Sequence, residues 1–246
     1  MTNKYMYFIA NWKMFGNVKS LNTLDKVIKF SKSKEIKKGR LIYCPPFTLM
    51  DLFFKKFKNC LIDIGGQNCH ENDDYGPHTG FINSKMLKNI GANYVIIGHS
   101  ENREKGENNK LINQKIISAM KAKLKVILCI GETWKEKRNG KTKSVLSKQI
   151  KSCLKKVNKK NNFFIAYEPV WSIGTGRIPK IKELEETVRF IKNRFKGKAP
   201  KILYGGSVNP KNINYLKMIE NLDGFLIGGA SQNSKNFIDI VKKTYN

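Results

Sequence analysis

A carboxylate directly after a run of apolar residues is hard to explain as an ordinary surface group, and Glu168 stands in that position, following Phe164-Ile165-Ala166-Tyr167. It is a candidate general base. His99 follows Val95-Ile96-Ile97-Gly98 and precedes Ser100-Glu101. A helical turn there would present N–H groups to the ring and favour neutral imidazole, although a lone histidine is usually structural. Lys13 closes the first apolar run, with Asn11 two residues before it. The pair could neutralise and hydrogen-bond a developing oxyanion, the alternative for Lys13 being a solvated strand end. Gly205-Gly206-Ser207 and Gly228-Gly229-Ala230-Ser231 each follow an apolar run late in the chain. Either glycine pair alone reads as a turn. Both together, at the ends of late strands, favour a phosphate cradle in which backbone N–H groups approach an anion. The segment from Pro169 to Gly176 is apolar and aromatic with glycines at one end, which suits a lid, with an ordinary packed loop as the alternative. A base, a histidine, a lysine, a cradle and a lid converge on proton abstraction beside the carbonyl of a small phosphorylated substrate.

These groups need elements to position them. Strands are expected at Tyr5–Asn11, Leu41–Cys44, Leu61–Gly65, Tyr94–Ile97, Val126–Ile130, Phe163–Tyr167, Ile202–Tyr204 and Gly224–Ile227. Each is nearly continuous in apolar residues, as in parallel strands covered on both faces. Between them lie amphipathic stretches. Ile181–Phe195 carries Leu184, Val188, Ile191 and Phe195 at spacings of three and four, with Glu183, Glu185 and Glu186 in its first half. No linker or composition break divides the chain, so residues 1–246 are read as one α/β domain, a closed (β/α)8 barrel. Every candidate functional residue falls at or just beyond the C-terminal end of an expected strand, where such barrels build their sites.

Composition sets the remaining bounds. The 246 residues are 40% hydrophobic and 27% charged, with 47 Lys+Arg against 19 Asp+Glu, for a net charge of +28. No apolar run reaches the roughly 18–20 residues that span a bilayer, and the opening from Met1 lacks a signal-peptide cleavage site, so a cytoplasmic protein is expected. Cys44, Cys60, Cys69, Cys129 and Cys153 have no paired or metal-type spacing and read as buried thiols. The lysines recur along the whole chain, as in 34–38, 135–138 and 155–160, without a nucleic-acid-binding motif. No nucleic-acid partner is therefore expected, and the excess charge reads as compositional drift or as steering of an anionic substrate.

Five segments together carry a resemblance: Asn11-Trp12-Lys13, Gly98-His99-Ser100-Glu101, Tyr167-Glu168-Pro169-Val170-Trp171 through Gly176, Tyr204-Gly205-Gly206-Ser207-Val208 and Gly228-Gly229-Ala230-Ser231. In this order over nearly the full chain they resemble the triosephosphate isomerase family. The resemblance implies a TIM barrel that interconverts dihydroxyacetone phosphate and D-glyceraldehyde 3-phosphate through an enediolate, in glycolysis and gluconeogenesis, with no cofactor and no metal. Glu168 then matches the base and His99 the neutral electrophile, a pairing that is this family's own known arrangement. Lys13 and Asn11 match the oxyanion-stabilising groups, and Glu101 the carboxylate supporting the lysine. Gly174, Ser207, Gly228 and Gly229 match phosphate-binding positions. Cys129 matches a cysteine that packs beside the glutamate. A homodimer is also implied, in which the loop from Gln67 to Gly80 enters the neighbouring subunit and Thr79 reaches toward its site; His70 and His78 in that loop have no catalytic role. Phe15, Phe81 and Asn102 depart from the family's usual residues, the two phenylalanines implying a more apolar dimer contact. Pro179, near the lid's far hinge, either biases lid motion or starts a helix. A Schiff-base aldolase, the competing barrel chemistry, would need a lysine within a late strand, and Ile202–Tyr204 has none.

Overall fold

The computed structural model describes residues 4–33, 36, 38–157, 163–197 and 199–246. The elements run β1 (Met6–Asn11), α1 (Leu24–Ser31), β2 (Gly39–Cys44), α2 (Met50–Phe57), β3 (Ile62–Gly66), α3 (Ser84–Asn89), β4 (Tyr94–Ile97), α4 (Ser100–Glu104), α5 (Asn109–Lys121), β5 (Lys125–Ile130), α6 (Trp134–Arg138), α7 (Thr142–Cys153), β6 (Phe164–Tyr167), α8 (Ile181–Asn193), β7 (Lys201–Tyr204), α9 (Ile213–Leu216), β8 (Gly224–Ile227) and α10 (Ser234–Tyr245). The strands pair in sequence order, all parallel, and β8 returns to β1 to close the barrel. The expected strands are all present, with ends displaced by one or two residues. Leu61 lies outside β3 and is exposed, because only the residues from Ile62 onward pair with β2. Phe195 falls beyond the end of α8 but stays buried, its ring packed on Phe163.

Two apolar layers follow from the period-2 alternation of strand side chains. Ile9, Ile42, Ile96, Ile127, Cys129, Phe164, Ala166, Leu203 and Leu226 fill the barrel interior. Phe8, Ala10, Leu41, Tyr43, Val95, Ile97, Leu128 and Ile165 face outward and pack against the helices. Trp12, Tyr43, Phe53 and Phe57 form an aromatic cluster in that outer layer, with Phe237 of α10 on Tyr43. Truncating one of these rings to alanine costs about 3–5 kcal/mol. The same alternation aims the site: Asn11 shares the parity of Ile9, and Glu168 that of Phe164 and Ala166, so both point inward.

Among the described residues no helix is long and apolar enough to cross a membrane. The five cysteines are free. Of the lysine-rich runs, residues 34, 35, 37 and 158–160 lie outside the described residues, as does the opening from Met1 to Asn3.

Candidate active site

Glu168 enters the mouth of the barrel on a backbone held by its own N–H donating to Ile130 O at 2.8 Å. Two glycines make room for it. A β-carbon on Gly131 would stand 1.7 Å from Glu168 O, and one on Gly205 would stand 2.8 Å from Glu168 Cγ. The residue is 2% exposed. Its Oε2 accepts from the Ser100 N–H at 3.3 Å, and its Oε1 has no other partner and faces His99 Nε2 at 3.3 Å.

His99 owes its place to Gly98, whose φ of +73° is a left-handed conformation that lets the chain turn out of β4. The ring caps α4: Nδ1 accepts from the Glu101 N–H at 3.2 Å. With Nδ1 engaged as an acceptor, Nε2, the atom facing Glu168, is the ring position left to donate. Arg103 stiffens this corner by donating to Gly98 O at 2.8 Å and to Cys129 O at 3.1 Å, tying the exits of β4 and β5 together. Asn102 takes no part in that tie, which Arg103 makes.

Lys13 has φ +57°, a strained value for a residue with a side chain. The surroundings hold it there: its N–H donates to Asn11 Oδ1 at 3.1 Å, and its carbonyl accepts from Gln67 Nε2 at 2.9 Å. Its Nζ pairs with Glu101 Oε1 at 2.6 Å. Asn11 itself is buried.

The glycine turns complete the wall. A cleft of about 200 Å³ is lined by Asn11, Lys13, His99, Glu168, Gly174, Ser207, Gly228 and Gly229 among others. All the residues expected to touch substrate therefore meet in one place. Glu101 reaches it through Lys13, and Cys129 lies fully buried beside Glu168, where desolvation and then the carboxylate push its thiol well above the usual range. Thr79 is not among the lining residues; it is exposed in the loop that follows β3, beside Gly80 at φ +84°. His70 and His78 stack at 4.4 Å within that loop, away from the cleft.

Three functional contacts were not singled out from sequence. Ser172 Oγ lies 2.9 Å from Tyr204 OH, donates to Arg177 O and receives the Ser207 N–H at 3.4 Å, which links the lid segment to the cradle. Glu132, 1% exposed, accepts from Tyr167 OH at 3.1 Å and from Trp171 Nε1 at 3.1 Å. Burial raises its carboxyl above the ordinary value, and the Trp171 and Tyr167 hydrogen bonds only partly offset this. Gln67 bridges Lys13 O and Cys44 O. A polar residue next to a glycine was the one available signal for Glu132 and Gln67, too common to select them, and Ser172, between Trp171 and Ile173, carried none. Pro179 precedes Lys180, the residue capping α8, so it is not the first helical residue; it is buried and its carbonyl meets Tyr215 OH.

Comparison with known proteins agrees with this geometry. The family model described as triosephosphate isomerase matches residues 6–244. The chain is 41% identical over 246 aligned residues to a triosephosphate isomerase of Thermodesulfovibrio yellowstonii, covering 96% of this chain and 98% of that one. It is 40% identical to that of Dictyoglomus thermophilum, covering 95% and 97%. A crystal structure of triosephosphate isomerase from Bartonella henselae superposes with a TM-score of 0.88 at 34% identity, covering 98% of this chain and 100% of the other. With the closed barrel, the converging residues and these relatives in agreement over nearly its full length, the chain belongs to the triosephosphate isomerase family.

Proposed function

We propose that this cleft interconverts dihydroxyacetone phosphate and D-glyceraldehyde 3-phosphate, with Glu168 as the base. The observation that carries the assignment is the meeting of a buried carboxylate and an imidazole at 3.3 Å beside two glycine turns in one cleft. Glu168 Oε1 takes a proton from the carbon next to the substrate carbonyl and returns it to the neighbouring carbon. Its burial between Gly131 and Gly205 keeps competing water away from the carboxylate. The negative charge that develops on the substrate oxygen meets the Nε2–H of His99, the Lys13 ammonium and the Asn11 amide. His99 donates that proton to one oxygen of the enediolate and recovers one from the other. Its neutral form makes it an acid weak enough to take the proton back.

The backbone N–H groups of Gly174, Ser207, Gly228 and Gly229 would hold the phosphate, as N–H groups at glycine turns are suited to do. Gly174 lies in the lid segment, so phosphate binding and closure of 169–176 over the site would be linked, through Ser172 and Ser207 as well. The chemistry asks for no cofactor or metal.

Exposed Phe15 and Phe81, with Met14 at 99% exposure, support a homodimer in which the loop after β3 and Thr79 contact a second copy. An enzyme of triose phosphates in glycolysis and gluconeogenesis would work in the cytoplasm.

Glu168→Asp tests the assignment. Shortening the base by one methylene should lower kcat by at least about 100-fold with KM little changed, since misplacement of order 1 Å costs that much in proton transfer. Coupled assays on both triose phosphates measure it, and turnover near that of the parent enzyme would reject Glu168 as the base.

A further inference from the structure

Along the sequence the lysines look evenly spread, but closure of the barrel sorts the charge by end. In a closed parallel barrel every connection from helix to strand lies at the mouth opposite the catalytic cleft. Among the described residues the only acids in those connections and strand starts are Asp63, Glu220 and Asp223. Asp63 is held by Arg40, and Asp223 lies between Lys192 and Lys201 at 3.3 Å each, so both are neutralised internally. The catalytic mouth, by contrast, carries Glu101, Glu104, Glu107, Glu132, Glu136 and Glu168 from three neighbouring connections alone.

The excess is densest across three consecutive connections, into β5, β6 and β7. Lys123, Lys125, Lys155, Lys156, Arg194 and Lys196 are exposed there, and none forms an ion pair among the described residues. Lys125 lies over the Tyr94 ring at 5.1 Å, beside an aromatic set of Tyr7 and Phe164 with Tyr5 exposed at the rim. Among the described residues of those three connections no large apolar side chain is exposed. Helix ends packed about 8–10 Å apart spread these cations over roughly 20 Å. At about 3.4 Å per phosphate along a strand, that arc spans on the order of six phosphates.

We propose that the end of the barrel opposite the cleft is a binding face for the phosphodiester backbone of nucleic acid. A row of unpaired cations of this length suits a repeating polyanion better than one small anion. Within the arc the described residues offer no exposed large apolar side chain for insertion into a bilayer; Leu61 and Met218, exposed apolar residues of that end, lie in the connections into β3 and β8, outside the row of cations. The chain lacks a recognition motif, yet the fold assembles a sequence-independent face from connections far apart along it, which the sequence order alone does not display. Such binding is electrostatic and steeply salt-dependent.

The test uses the full-length protein and a fluorescein-labelled 20-nucleotide single-stranded RNA, followed by anisotropy from about 50 to 200 mM salt. Binding at the low end is expected, with affinity falling linearly on a log–log plot. The variant Lys155→Glu/Arg194→Glu/Lys196→Glu should bind at least tenfold more weakly with a shallower salt slope, while its isomerase kcat stays at the parent value. Lys135→Glu/Lys182→Glu/Lys211→Glu, three reversals around the catalytic mouth, should leave RNA affinity within threefold. Saturating triose phosphate should not displace the RNA. No binding at about 50 mM salt, equal weakening by both triple variants, displacement by substrate, or binding to phosphatidylserine vesicles without binding to RNA would each overturn the proposal.

Discussion

Replacing Gly205 by alanine should disable the base without touching it. Gly205 has no left-handed φ, so alanine meets no backbone penalty there, and the effect has to come from contact. The added β-carbon would stand 2.8 Å from Glu168 Cγ and 3.3 Å from Oε1. Ordinary carbon–carbon contact begins near 3.5–4.0 Å, so one group has to move by roughly 1 Å. Gly205 is pinned by its N–H to Tyr167 O at 2.8 Å, whereas the Glu168 Oε1 that faces His99 has no other partner. The glutamate is therefore the group that gives way. A displacement of about 1 Å in a near-attack geometry costs about 100-fold, or roughly 2.7 kcal/mol of transition-state stabilisation. Overpacking adds about 1–3 kcal/mol of destabilisation, a fall in Tm of roughly 2–12 °C for a chain of this size, so the variant still folds. Coupled assays in both directions should show kcat reduced about 100-fold, while inorganic phosphate inhibits about as well as before. In a double-mutant cycle, Gly205→Ala added to Glu168→Asp should cost far less than in the parent, because the carboxylate it displaces is already withdrawn. A kcat within threefold of the parent, or full additivity in the cycle, would refute the steric argument.

Three further outcomes are expected. Tyr43→Phe removes a fully buried hydroxyl that has no partner among the described residues, and should raise stability by about 1–3 kcal/mol in denaturant unfolding; a loss would mean the hydroxyl is satisfied. Burial raises the folded-state carboxyl of Glu132 above its unfolded value, so the folded form binds the proton more tightly and stability falls as pH rises from the ordinary glutamate value through the raised one. Glu132→Gln should flatten that part of the Tm–pH curve, and an unchanged slope would assign it to another group. With a net charge of +28 and Lys13 beside the phosphate cradle, kcat/KM should fall as salt rises toward about 0.15 M, and a flat profile would leave the charge without a role in encounter.

Most of the reacting groups were legible in the sequence because barrel chemistry is written at strand ends. Glu168, Lys13 and Asn11 interrupt apolar runs at the point where a buried strand meets solvent, and a polar residue there needs a reason. The supporting groups were not legible. Gly131 looks like any turn glycine, and Gly205 like part of the phosphate cradle alone, until Glu168 is packed against both. Ser172 and Tyr204 are 32 positions apart and meet only because β6 and β7 are neighbours. Arg103 holds Gly98 and Cys129 through carbonyls, which leave no trace in residue type.

By itself, then, the sequence determined the alternation of strand and helix, the placing of Asn11 and Glu168 at strand ends, and the identity of the groups that could move a proton. These depend on local periodicity, which short stretches of chain carry alone. The tertiary structure decided which glycines make room for the base, which hydroxyl is left without a partner among the described residues, and that the acids gather at one mouth of the barrel, leaving a row of exposed cations at the other without ion pairs. Those outcomes rest on parallel pairing and closure: parallel strands put every strand end on one side, and β8 on β1 rolls those ends into a single mouth.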